Sequence, residues 1–205
     1  AIAEIPKLSP SKITAWLECD HYLTLKNRQT RPKAVREDEP VSDQREESAK
    51  GDDSSDLIFP SPPENYAQLL IDKGIYHEQE CLKKYKEEYG DLVLEVSEKE
   101  AGESFEAWVE RVGNPLENNE YQVIFQMPFV HDGIHGVADF IEKIEYDGKT
   151  VYEPVDSKLT RSGAKQGHLL QLLFYAEAIE AIYGERPIEV HVLLGSGKRD
   201  SYRVS

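Results

Sequence analysis

The period of the hydrophobic positions changes several times along the chain, and each change marks an element. From Asn65 to Tyr89 apolar residues recur at helical spacing, with Tyr66, Leu69, Leu70, Leu82 and Tyr85 as the expected buried stripe of a long helix. Gly74 interrupts that stripe at a cost in helix stability, so another segment is expected close to the backbone there. Leu92 to Val96 reads as a short strand, and Ser104 to Val112 as a short helix with Ser104 as its N-cap. From Tyr121 to Val130 the pattern switches to period two through Val123, Phe125 and Met127. His131-Asp132-Gly133 then turns the chain into a second strand, Gly133 to Glu145. Asp147-Gly148 is a favoured pair for a two-residue hairpin turn, and a third strand follows through Tyr152 to Lys158. Lys165 to Tyr183 reads as a helix that is apolar almost all round its first half (Leu169, Leu170, Leu172, Leu173, Phe174), as expected for a helix packed on a sheet. Pro187 breaks the chain before a strand over Ile188 to Leu194, and a last strand is expected over Ser201 to Ser205. At the other end, Ser9 and Pro10 suit the N-cap and first position of a helix carrying Ile13, Trp16 and Leu17. Arg28 to Pro63 has no period, much charge and several prolines, as a flexible insert would. This order predicts an α/β fold with a mixed central sheet.

The hairpin makes a sharper statement. If its turn is tight, paired positions sum to 295, which sets Asp139 opposite Asp156 and Glu142 opposite Glu153. Facing carboxylates destabilise a ladder, and a divalent cation between them removes that cost. Asp156 and Lys158 emerge on one face of their strand because side chains alternate with period two. Hard ions such as Mg²⁺ and Mn²⁺ favour carboxylate and carbonyl oxygens, so the two aspartates and the Ser157 carbonyl form a candidate metal site. An ion there would acidify a bound water and neutralise phosphate charge, with Lys158 beside it. Pro154 cannot donate to a central ladder, which puts the pairing near it in question. On the next helix Gln171 and Tyr175 sit four apart on one face, either bonded to backbone or aimed back at the metal site or a substrate strand. His77 shares a helix side with Leu70, Gly74 and Cys81. His131 and His135 lie near a turn.

Composition narrows the class. The chain of 205 residues is 39% hydrophobic and 31% charged, which suits one packed domain. No apolar run approaches the roughly 18 residues of a membrane span. Cys19 and Cys81 are far apart, without a CxxC pair, so neither a zinc site nor a disulfide framework is implied and a cytoplasmic location is expected. A net charge of −15 argues against a nucleic-acid coat protein but not against a nucleic-acid enzyme, whose steering depends on the local field. The acid is concentrated in Arg36 to Asp56, nine acidic residues against three basic, whereas Lys158 to His168 contains none. Arg161, Lys165 and His168 in that segment are candidate phosphate contacts, with Lys158. The start at Ala1 and the end within an expected strand point to a piece of a longer protein.

His77, then Gly136-Val137-Ala138-Asp139-Phe140, then Asp156-Ser157-Lys158, then Gln171-Leu172-Leu173-Phe174-Tyr175 resembles the ordered motif set of the PD-(D/E)xK nucleases. The likeness is to the RecB-like branch, which includes the CRISPR-associated adaptation exonucleases. The opening Ser-Pro-Ser-Lys-Ile-Thr-Ala-Trp-Leu-Glu-Cys resembles the start of RecB-like nuclease domains fused to helicase or further nuclease domains.

The resemblance implies a restriction-endonuclease-like core with an N-terminal helical lobe, spanning residues 1–205 as one domain with 28–63 as an acidic insert. It implies Mg²⁺- or Mn²⁺-dependent cleavage of DNA, with His77, Asp139, Asp156 and the Ser157 carbonyl as metal ligands. Lys158 would be the catalytic lysine, and Gln171 with Tyr175 would position DNA or that lysine. A histidine at the place of His77 is associated with exonuclease members, so single-stranded ends are the expected substrate. Many relatives hold an iron–sulfur cluster, which needs about four thiolates. Cys19 resembles one of these ligands but nothing after Cys81 supplies the rest, so no cluster is expected in this chain. The competing reading is a non-catalytic DNA-holding or assembly module of a larger DNA repair or defence protein. A third reading is a hydrolase of another phosphoester.

Overall fold

The computed structural model describes residues 9–10, 64–160 and 163–204, with side chains of the first helix from residue 68 onward. The first helix expected, with Cys19, the acidic insert and Arg161 lie outside the described residues.

The described chain forms α1 (Glu64–Tyr89), a 3₁₀ turn at Gly90–Leu92, β1 (Val93–Glu95), α2 (Phe105–Val112), β2 (Val123–His131), β3 (Ile134–Tyr146), β4 (Lys149–Lys158), α3 (Gln166–Tyr183), β5 (Glu189–Leu194) and β6 (Arg199–Arg203). The strands form a six-stranded sheet in chain order. β1/β2 and β4/β5 are parallel, and the other neighbours antiparallel, so the sheet is mixed. Together they make an α/β fold. No helix among the described residues is long and apolar enough to cross a membrane.

Alternation sends each strand's apolar residues to two helices on opposite faces. Cys81 and Leu82 of α1 pack with Val123, Phe125, Phe140 and Val155. Tyr175, Ala178 and Ile179 of α3 pack with Ile124, Met127, Ile141 and Tyr152 on the other face. Leu172 and Ala176 continue that layer over Val190, Val192 and Leu194. α2 begins as its sequence demands, with the Ser104 hydroxyl accepting from the Ala107 N–H at 3.1 Å. Its Trp108 is buried and donates to the Ser97 carbonyl at 2.8 Å.

Four expectations need correction. Only the C-terminal half of the α1 stripe is covered: Leu82 is 3% exposed, whereas Leu69 and Leu70 are 46% and 45% exposed. Among the described residues nothing lies within 4 Å of a Cβ built on Gly74, so none of them approaches the backbone there. α3 is covered on one side only, although its first half is apolar almost all round: Leu170 and Leu173 are exposed while Leu172 is fully buried. The last strand also begins earlier than its expected start, at Arg199.

The β3–β4 hairpin closes at Tyr146 and Lys149 over Asp147-Gly148, both with positive φ as a two-residue turn of this kind needs. Pairs run from there to Phe140 and Val155, all summing to 295. Pro154 sits opposite Ile141, and the ladder to β5 starts one residue later at Val155. Alternation from the hairpin end makes 141/154 a pair that exchanges no backbone bonds. The missing N–H of Pro154 therefore costs no ladder bond on the β3 side.

Candidate metal and catalytic site

The site is built where β3 and β4 part. Beyond Phe140/Val155, β3 remains paired with β2 and β4 continues with β5 alone. Asp139 and Asp156 are the first residues past this fork, one step beyond the last paired level. Asp139 Oδ2 bridges the gap, accepting from the Ser157 N–H at 2.8 Å and the Ser157 hydroxyl at 3.0 Å. Asp156 and Lys158 share a side of β4, and the lysine Nζ donates to Asp156 Oδ1 at 2.7 Å. Asp156 is 1% exposed, and its Oδ2 is buried with no hydrogen-bond partner among the described residues. Burial first, and then the Asp139 charge, raise the Asp156 carboxyl above the usual carboxylate range despite Lys158. Burial alone would lower the Lys158 ammonium, but the Asp156 and Asp139 carboxylates together hold it above its ordinary value.

A third carboxylate stands at longer range from this pair. Glu78 of α1 lies close enough to Asp139 and Lys158 to feel both charges. Burial, followed by Asp139, pushes it up to about 7, against a lowering by Lys158 and by the donated bond from Gln126. Glu78 and Gln126 also line a groove of about 770 Å³ with Ile75, Val96, Trp108 and Phe125.

His77 is not brought to the fork. Its Nε2 lies 3.3 Å from the Leu193 carbonyl and 3.9 Å from Cys81 Sγ. It lines a separate cavity of about 220 Å³ with Cys81, Lys84, Tyr85 and Arg199. One helical step of 100° separates the two flanks: Glu78 falls on the stripe of Leu82 and Tyr85, four and seven residues on, whereas His77 falls with Cys81 and Lys84. A carboxylate in register with the best-buried part of the helix was the signal available in the sequence for Glu78.

Gln171 and Tyr175 act on the backbone that carries Asp139. The Tyr175 hydroxyl donates to the Val137 carbonyl at 2.6 Å, and Gln171 Nε2 donates to that hydroxyl at 3.2 Å. Gly136 is the complement of this contact, since a Cβ there would meet Tyr175 at 2.8 Å and Phe174 at 2.9 Å. Lys165 and His168 stand at the start of α3, where the Lys165 N–H donates to His168 Nδ1 at 3.3 Å. His135 stacks on Phe105 with ring centroids 4.7 Å apart and lies 3.1 Å from Glu106. The ring of His131 lies 6.3 Å from that of Phe174.

The hairpin's second pair of opposed acids is fully partnered. Glu142 is held by Arg199 through two bonds of 2.6 and 2.7 Å and by the Tyr85 hydroxyl. Glu153 accepts from the Glu189 N–H at 2.9 Å and lies 2.7 Å from His191 Nε2. By contrast, the Lys158 ammonium is bonded to Asp156 Oδ1 alone, and Asp156 Oδ2 has no partner among the described residues. That donor set suits a small hard cation, since a buried carboxylate oxygen without a partner is costly. Among the described residues no group of three or more His, Cys, Asp or Glu side chains is already gathered around a single point. The fork therefore supplies two aspartates and, at longer range, Glu78. No protein-family model matches the chain, and neither does any curated protein.

Proposed function

We propose that the protein is a metal-dependent phosphodiester hydrolase acting on DNA, with single-stranded ends as its substrate. The observation that carries this reading is the unpartnered, buried Oδ2 of Asp156 beside Asp139 and Lys158 at the fork. Asp139 and Asp156 would hold Mg²⁺ or Mn²⁺, with Glu78 in place of His77 as the third carboxylate or histidine. The Ser157 carbonyl remains a candidate fourth ligand. Such an ion supplies neutralisation of phosphate charge and acidification of water.

The chain's own groups do the rest. Lys158 brings a cation to within 2.7 Å of Asp156, where it can counter negative charge developing on the phosphate oxygens. Tyr175 and Gln171 fix the β3 backbone two residues before Asp139 and so hold its carboxylate in place. Water adds across the P–O bond, leaving a phosphate monoester and a free hydroxyl. The choice of DNA and of ends rests on the motif resemblance, and Lys165 and His168 at the start of α3 are its candidate phosphate contacts. An iron–sulfur cluster has no part in this reading.

The test compares wild type with Asp156→Ala and Lys158→Ala on end-labelled single- and double-stranded DNA with Mn²⁺. Stepwise shortening of single strands by wild type, lost in both variants, is expected. Cleavage surviving both substitutions would refute the site. DNA binding without cleavage by any form would favour an assembly module in a larger repair or defence protein.

A further inference from the structure

Gln126 sits in the middle of β2 with φ +60, a left-handed conformation that residues other than glycine and asparagine adopt reluctantly. Strained positions of this kind persist where the surrounding structure requires them, and they cluster at functional sites. Its place in the ladder is specific. Phe125 pairs with Phe140 and Met127 with Ala138, while the level between them, Gln126 facing Asp139, is left unpaired.

The sheet's two faces exchange roles at that level. In β2, Phe125 belongs to the core under α1, whereas Met127 and Phe129 belong to the core under α3. Regular alternation would have kept 125, 127 and 129 together. β3 inverts at the same step, with Phe140 under α1 but Ala138 with Ile141 under α3. The inversion frees Asp139 from ordinary alternation, and its carboxylate crosses to Ser157. The same residue reaches the third carboxylate from the other direction: Gln126 Nε2 donates to Glu78 Oε1.

We infer that Gln126 is a positioning residue for the carboxylate cluster: its backbone turns Asp139 into the fork, and its amide holds Glu78 beside it. This rests on the metal-dependent hydrolase reading and deepens it. Gln126 touches neither the scissile phosphate nor the reacting water in this scheme and acts through Glu78 and Asp139. An irregularity that served packing alone would need the inversion but would not need an amide aimed at a carboxylate.

Three substitutions separate the two contributions. Gln126→Gly relieves the backbone and removes the amide. Gln126→Met keeps both the length and the strain but removes the amide. Gln126→Asn tolerates the left-handed backbone and keeps a shorter amide. Each is measured on the full chain for thermal midpoint, for Mn²⁺ affinity by calorimetry, and for kcat and KM on single-stranded DNA.

The expected result is that Gln126→Gly melts no lower than wild type yet binds Mn²⁺ at least tenfold more weakly. Its kcat at saturating Mn²⁺ falls while KM for DNA is unchanged. Gln126→Met weakens Mn²⁺ binding similarly, and Gln126→Asn recovers part of the loss. Wild-type Mn²⁺ affinity and kcat in both Gln126→Gly and Gln126→Met would overturn the inference while leaving the hydrolase reading intact. Should either variant fail to fold, the other decides. A wild-type protein that binds no Mn²⁺ and cleaves nothing would overturn both.

Discussion

Replacing Asp156 by Asn tests the central claim that the fork carries uncompensated negative charge. The carboxylate is 1% exposed, Lys158 satisfies Oδ1 at 2.7 Å, and Oδ2 has no hydrogen-bond partner among the described residues. A buried polar group left unpaired costs about 1–3 kcal/mol, and more when it is charged. Asparagine keeps the shape and the Lys158 bond and removes the charge that repels Asp139. The lysine side chain is 28% exposed, so its ammonium retains access to water when its partner is neutral. The net gain at pH 8 without metal is about 2 kcal/mol, which for a chain of this size raises the melting midpoint by about 4–8 °C.

The pH dependence has a defined sign. Because the folded carboxyl titrates above its unfolded value, the penalty is absent below the unfolded pKa and grows as pH rises through the folded one. The advantage of Asp156→Asn therefore shrinks between pH 8 and pH 5. Mn²⁺ should reverse the order, since an ion at a hundred times its Kd stabilises wild type by about 2.7 kcal/mol and the variant by much less. Circular dichroism melts at both pH values, with and without Mn²⁺, give the four comparisons. A variant that melts no higher than wild type at pH 8, or equal stabilisation of both proteins by Mn²⁺, would refute the reasoning.

Two further substitutions probe the support around the fork. Gly136→Ala drives a methyl group to 2.8 Å from the Tyr175 ring and 2.9 Å from Phe174, and overpacking of this kind costs about 1–3 kcal/mol. Urea denaturation should show that loss, and unchanged stability would mean that α3 can retreat from β3 freely. Arg199→Met leaves Glu142, 8% exposed, with Tyr85 as its remaining partner; because the Arg199 side chain is 34% exposed, the loss is that of a buried acceptor stripped of one partner, about 1–3 kcal/mol. Burial raises Glu142, but Arg199 outweighs it and holds the carboxyl below its ordinary value. The stability it contributes is thus present above the unfolded pKa and lost as pH falls. The wild-type advantage over Arg199→Met should narrow on acidification from pH 7 to pH 4, as read from chemical denaturation at each pH.

The hairpin was legible because a two-residue turn fixes a register, and every observed pair obeys the sum of 295. Chemistry-bearing residues on β3 and β4 followed from that count. The helix was harder. Its rotation is set by which of its turns the sheet covers, and Leu69 and Leu70 suggested a stripe that the N-terminal half does not bury. Anchoring instead on Leu82 and Tyr85 selects Glu78 and sends His77 to the other flank, facing Leu193. The inversion at Gln126 was beyond reach, since the run from Val123 to Phe129 reads as unbroken alternation. Only the exchange of Met127 and Ala138 between cores reveals it. Gln171 and Tyr175 were placed on one helix face with a backbone partner as one of two alternatives, and the Tyr175 hydroxyl takes it at the Val137 carbonyl.

One hairpin carries two sets of opposed acids, and the difference between them explains why opposition alone is a poor marker of a metal site. Glu142 and Glu153 face each other inside the ladder, where β5 and β6 are also in register beside them. Those strands deliver His191 at the level of Val155 and Arg199 opposite Leu193, so side chains fixed in the sheet answer both carboxylates. Asp139 and Asp156 stand past the last β3–β4 pair, where no neighbouring strand spans both. Among the described residues the ammonium bonded there comes from β4 itself, and in the arrangement observed it serves one oxygen, Asp156 Oδ1. A fork thus does what a closed ladder cannot: it keeps two carboxylates close through the Ser157 bridge while denying them a permanent counter-charge. On the proposed reading, the missing charge would be supplied by an exchangeable ion, which the paired carboxylates inside the ladder have no need of.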